Sequence, residues 1–159
     1  MGDSIAATEA KETTRRGFLL GGVAGAAAWL AFNGDVNAAS DVFAAEFKKV
    51  VADRKLLEGK IKIDLPTIAE NGLVVPLNFE IESPMTAADY VKSVHFFAEE
   101  NPNPQVASFF FTPLAPKAAA SIRIRLARTQ NLVAVAEMSN GDLYTARREV
   151  KVTIGGCGG

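Results

Sequence analysis

Two periodicities divide the chain. Over residues 41–53, Phe43, Phe47, Val50 and Val51 fall on one helical stripe. Ser40 or Asp41 stands where a capping side chain is wanted, and Glu58-Gly59 closes the helical pattern. From Lys60 onward the period drops to two. Residues 60–65 alternate and stop at Pro66. Asn71-Gly72 is a turn signal, and 73–82 is the next strand, with Pro76 assigning it to an edge or a bulge. Ser83-Pro84-Met85 breaks the pattern, 90–99 resumes it, and Asn101-Pro102-Asn103-Pro104 turns the chain. Residues 105–112 form a strand that Pro113 and Pro116 end. In 121–128, Ile122, Ile124 and Leu126 alternate with Arg123 and Arg125. An apolar strand over 131–138, the hairpin signal Ser139-Asn140-Gly141-Asp142 and a last strand over 143–154 complete the series. About seven short strands with frequent turns predict a mainly β fold: an immunoglobulin-like antiparallel β-sandwich with an N-terminal helix. No cysteine pair supports a true immunoglobulin domain, and there is no internal repeat, low-complexity segment or second domain.

The first residues read differently. Thr14-Arg15-Arg16-Gly17-Phe18 leads into a run rich in Gly, Ala and Leu that ends at Phe32. Paired Arg15 and Arg16 before a moderately apolar stretch predict a twin-arginine export signal, and hence the periplasm. The run is shorter than the roughly 20 residues a membrane span needs. Val36-Asn37-Ala38 fits a small-residue cleavage site, so 1–38 is assigned to the signal and 39–154 to the helix and sandwich. No cysteine lies near the cut, so no lipid anchor is expected there, and the short run with its Ala-rich site argues against a membrane anchor that is never cut. The whole chain carries 17 basic and 18 acidic residues, and the part after residue 38 is balanced. That excludes a global basic field for nucleic acid.

The chemistry converges on the last five residues, Gly155-Gly156-Cys157-Gly158-Gly159, which follow the final strand and form an expected swinging arm. Cys157 is the one cysteine. The flanking Gly155, Gly156, Gly158 and Gly159 make a thin, flexible tether. From Ile154 the thiol-bearing residue is at most roughly 10 Å away. Such an arm suits a narrow cleft on another protein. An unperturbed thiol has a pKa of about 8.5, and a terminal carboxylate opposes ionisation. Cys157 therefore reads as a handle on which other enzymes act: the chain is expected to be no enzyme itself.

Other candidates are weaker. His95, the one histidine, shares a strand face with Val91, Ser93 and Phe97 and reads as a packed or partly exposed strand residue. One histidine and one cysteine give no metal spacing, so no intrinsic metal or cofactor is expected. Without Cys-x-x-Cys there is no dithiol couple. Arg123, Arg125, Arg128, Arg147 and Arg148 form basic spots, most simply a solvated surface. Phe109-Phe110-Phe111 cannot all point one way, so at least one must be covered from the second face by the helix or by another chain.

The terminal motif resembles the arm of the SoxY family, one subunit of the SoxYZ sulfur carrier. The stretch from Ser83-Pro84-Met85-Thr86 through Val94-His95-Phe96-Phe97-Ala98-Glu99 is similar to the centre of that family, as are Arg123-Ile124-Arg125-Leu126-Ala127 and Val135-Ala136-Glu137-Met138-Ser139-Asn140-Gly141. The resemblance covers the chain after the signal. It implies a periplasmic heterodimer with a SoxZ-like subunit, and thiosulfate-oxidation intermediates held covalently on Cys157. It implies that a SoxAX cytochrome joins thiosulfate to the thiol. A SoxB hydrolase then releases sulfate, and a SoxCD sulfane dehydrogenase or another route processes the persulfide.

Two rival readings remain at this level. A diglycine carrier would use a terminal carboxylate of Gly159, but its activation needs ATP, which an exported protein lacks. A non-covalent partner-binding immunoglobulin-like module would have an incidental tail, and its function would survive alkylation of Cys157.

Overall fold

The computed structural model describes residues 35–155. Among them are one helix, α1 (Asp35–Val51), and nine strands: β1 (Leu56–Glu58), β2 (Ile61–Asp64), β3 (Ile68–Asn71), β4 (Val75–Ile81), β5 (Val91–Ala98), β6 (Gln105–Phe110), β7 (Ala118–Ile124), β8 (Gln130–Met138) and β9 (Leu143–Ile154). The strands form two sheets. One has the order β1-β9-β8-β5-β6, with β3 also on β9, and the other has the order β2-β4-β7. The expected mainly β sandwich with its N-terminal helix is what forms.

Alternation builds the core. In β4, Val75, Leu77, Phe79 and Ile81 are buried while Pro76, Asn78 and Glu80 are exposed. They meet Val94, Phe96, Leu132, Ala134 and Ala136 of the larger sheet. The ring centroids of Phe79 and Phe96 lie 4.8 Å apart. A second cluster lies on the outer face of the larger sheet, where Phe43, Phe47 and Val50 of α1 pack with Val51 on Phe97, Val133, Val135 and Leu143. Phe97 meets Phe47 edge-on at 5.6 Å. The apolar stripe read from the sequence is the stripe that docks. β8 is therefore covered on both faces, which is why Leu132–Ala136 is a continuous apolar run rather than an alternating one.

Several details depart from the sequence reading. The helix begins at Asp35, so Ser40 and Asp41 lie inside it rather than at its cap, and the expected cleavage point falls within its first turns. Its C-terminus is closed by Ala52 at φ 51° and by Arg54, whose Nη2 donates to the Val50 carbonyl at 2.8 Å. β1 and β3 were absent from the strand pattern; they pair with β9 in parallel, one after the other along the same edge. Pro76 lies in the middle strand of its sheet. The β2 ladder reaches only Asn78, so at Pro76 β4 pairs with β7 alone, and the missing donor is tolerated. A register shift between Val91 and Ser93 turns Val91 into the core, away from the face of Ser93 and His95. The phenylalanine run splits between the two faces of β6, but α1 does not cover the outward one, a cover that the sequence reading allowed for. Phe109 and Phe111 pack on the core from one side, while Phe110 points out and is exposed.

Candidate functional site

Cys157, Gly156, Gly158 and Gly159, like Arg15 and Arg16 of the expected export signal, lie outside the described residues. What the structure does place is the root from which the terminal segment leaves. β9 is the longest strand, twelve residues, and only its first eight pair with β8. Its last turn of pleat needs other partners, and β3 supplies them in parallel, with Ala69 opposite Val152 and Asn71 opposite Ile154. The Lys151 N–H donates to the Thr67 carbonyl at 3.0 Å, and the Gly72 N–H donates to the Ile154 carbonyl at 2.8 Å.

On its other edge the end of β9 meets the 125–130 loop. The Val152 N–H donates to Thr129 Oγ1 at 2.9 Å, and the Leu126 N–H donates to the Gly72 carbonyl at 2.8 Å. Gly155 abuts this loop so closely that a Cβ there would collide with the Ala127 carbonyl oxygen. Glycine at 155 is thus required by space, whereas the sequence suggested only flexibility.

The loop in turn is held by a buried amide. Asn101 Nδ2 donates to the Arg125 carbonyl at 2.8 Å, and Asn101 Oδ1 accepts from the Ala127 N–H and from Gln130 Nε2, each at 2.9 Å. Gln130 Oε1 accepts from the Glu100 N–H at 2.8 Å. Both side chains are buried. In water each bond would add little; inside the protein, leaving any of these groups unpaired is costly. Asn101 was legible only as a turn residue, because its partners lie 24 to 29 positions further along the chain. The chain of support runs from Asn101 to the loop, and from the loop to Gly155.

His95 is remote from this root. It is half-buried on the outer face of β5, with Nδ1 2.9 Å from Ser108 Oγ and Nε2 3.2 Å from Ser93 Oγ, and its ring meets Phe110 edge-on at 5.8 Å. Burial lowers its pKa, and Glu137 pulls the other way. Glu137 itself stays below its ordinary value: burial raises it, but Lys92 at 3.0 Å and Arg54 at 3.5 Å outweigh that. Through Val135, His95 is level with Thr145, about ten positions before Gly155, or roughly 33 Å of strand. It cannot serve a thiol two residues past Gly155. Of the basic spots, Arg147 pairs with Glu99 at 2.6 Å, and Arg123, Arg125, Arg128 and Arg148 are exposed, as a solvated surface requires. Among the described residues no group of His, Cys, Asp and Glu could hold a metal ion, and no helix is long and apolar enough to cross a membrane.

Comparison with known proteins bears on the whole domain. The family described as "Sulfur oxidation protein SoxY" matches residues 47–157. The structure of the sulfur carrier protein SoxY from Chlorobium limicola f thiosulfatophilum is similar at 36% identity and a TM-score of 0.60, over 72% of this chain and 98% of that one. A superoxide reductase (neelaredoxin) from Ignicoccus hospitalis shares the fold at 18% identity and a TM-score of 0.54, over 69% of this chain and 86% of that one. A putative superoxide reductase from Thermotoga maritima does so at 13% and 0.53, over 61% and 93%. Those two likenesses extend to the fold alone. No curated protein matches the chain. The family match spans the end of α1, both sheets and Cys157, so the chain belongs to the SoxY family.

Proposed function

We propose that this protein is a covalent carrier of sulfur intermediates in thiosulfate oxidation, with Cys157 as the attachment point. The observation that carries the reading is the root of the arm: β9 ends in a glycine seated against the body, and the family's cysteine follows two residues later. A thiol that follows Gly155 by two residues is within roughly 7 Å of a described strand end, which suits loading by a visiting enzyme.

The chemistry is that of sulfur bonded to sulfur. In the first step the Cys157 thiolate and thiosulfate are joined, giving Cys–S–S–SO3⁻. Two electrons leave and pass to a c-type cytochrome of the SoxAX kind. In the second, water attacks the terminal sulfone on a SoxB-type hydrolase. The S–S bond to that sulfone breaks, sulfate and two protons depart, and a persulfide remains on Cys157. A SoxCD-type dehydrogenase or another route clears the persulfide. This chain supplies the thiol and its placement; partners supply the catalysis. A SoxZ-like subunit completes the carrier, and export through the twin-arginine signal at Arg15 and Arg16 places it in the periplasm.

Intact-mass spectrometry after incubation with thiosulfate and the partner enzymes tests this. The native protein gains the thiosulfonate adduct. Cys157→Ser gains none, loses all thiosulfate-dependent electron transfer and keeps its thermal midpoint. Adducts that persist in Cys157→Ser would overturn the reading.

A further inference from the structure

Seven large apolar side chains are exposed among the described residues, and three of them surround the arm root: Ile154 at 66%, Val74 at 54% and Leu73 at 47%. The hydrogen bond from the Gly72 N–H to the Ile154 carbonyl ties the 72–74 turn to the end of β9, so the three are neighbours. Ile68 is also exposed, but Asn71 is the residue level with Ile154, and Ile68, three positions earlier, faces the opposite side of β3. The backbone beneath the three is held from both sides, by β3 and by the loop that Asn101 secures.

Reach decides what must cover them. Gly155 is seated against Ala127, so reach is counted from it. Cys157 is two residues on, and its Cα lies at most about 7 Å from that of Gly155. An enzyme that performs chemistry on the Cys157 sulfur has to bring the mouth of its cleft within that distance. Its rim then lies on what flanks the exit: Leu73, Val74 and Ile154 on the side of the 72–74 turn, and the 125–130 loop on the other. A stable interface buries roughly 800 Å² on each partner. Three partly exposed side chains supply a small part of that, too little for a permanent subunit or a second copy and suited to a visitor that leaves after each step.

We infer that Leu73, Val74 and Ile154 form an apolar docking rim on which the arm-receiving enzymes seat, each presenting an apolar collar around its own cleft. The inference rests on the carrier reading and adds to it the surface that makes delivery productive. Shape and burial of apolar area at this rim raise the encounter lifetime without specifying one partner, so several enzymes can share it.

The test uses the full chain with its partner subunit, native and as Leu73→Ser/Val74→Ser and Ile154→Ser. Tetrathionate loads Cys157 without any enzyme: the thiolate displaces thiosulfate and leaves Cys–S–S–SO3⁻. Sulfate release by the SoxB-type hydrolase is then followed against carrier concentration. The rim variants are expected to raise KM tenfold or more, with kcat little changed. Iodoacetamide labelling of Cys157 and the thermal midpoint stay native, and Leu73→Met/Val74→Leu restores KM. An unchanged KM in the serine variants overturns the rim while leaving the carrier reading intact. Loss of the partner subunit or of a self-associated form in those variants also overturns it, because the rim would then be a standing interface. A native protein whose tetrathionate-loaded form the hydrolase never processes fails the carrier reading itself, and the rim falls with it.

Discussion

Asn101 carries three hydrogen bonds into the 125–130 stretch from a side chain that is 4% exposed. Asn101→Ala removes them together and leaves the Arg125 carbonyl, the Ala127 N–H and the Gln130 amide short of partners. The expected loss is about 2–3 kcal/mol of stability, read by urea denaturation. His95 gives a pH signature at the same scale. Its folded pKa is lowered, first by burial, so below about 6.5 the unfolded chain binds a proton that the folded chain resists. This contribution to stability is present above that pH and is lost as pH falls. The thermal midpoint is expected to drop between pH 7 and pH 5, and His95→Gln is expected to flatten that part of the profile. The low pKa of Glu137 acts in a more acidic window and does not mask it.

Among the elements, β9 does two tasks along one length. Its first eight residues carry the ladder to β8, and β1 runs along its other edge as far as Thr145. Its last residues leave β8 behind and are held by β3 and Thr129. Gly155 marks where that support ends. Gly155→Ala would drive a methyl into the Ala127 carbonyl, so the strand end or the loop must shift, at about 1–2 kcal/mol. Amide hydrogen exchange is expected to speed up at Val152, Leu126 and Gly72, with no change at the hairpin near Gly141. α1 is the other element with a plain cause. Phe43 and Phe47 close over Phe97, and the wet side of the helix keeps Lys48 and Lys49 in its last turn, where positive charge opposes the helix dipole.

At the scale of the described domain, the sandwich sets where the terminal segment leaves, at Gly155. Seven strands were legible in the sequence, most by alternation and β8 as an apolar run, because turn chemistry separates them (Asn71-Gly72, Asn140-Gly141 and the prolines after β6), although the strand read over 121–128 forms at Ala118–Ile124. β1 and β3 were not. They are three and four residues long, and what makes them strands is parallel pairing to β9, a contact between positions some 80 residues apart that leaves no local trace. The face of Val91 was missed for a similar reason, since a bulge breaks the alternation on which the reading relied.

The sequence by itself determined the fold class, the apolar stripe of α1, the course of β9 and the candidacy of Cys157. Each of these follows from side-chain chemistry at short spacing, where period, propensity and a unique thiol act locally. Only the tertiary structure decided that Asn101 secures the loop beside Gly155, that Gly155 is glycine for want of space, that His95 lies far from the end of β9, and that the 72–74 turn lies beside Ile154. Those depend on which distant segments share a sheet edge, and hydrogen bonds and steric contacts between such segments come into being only when the chain has folded.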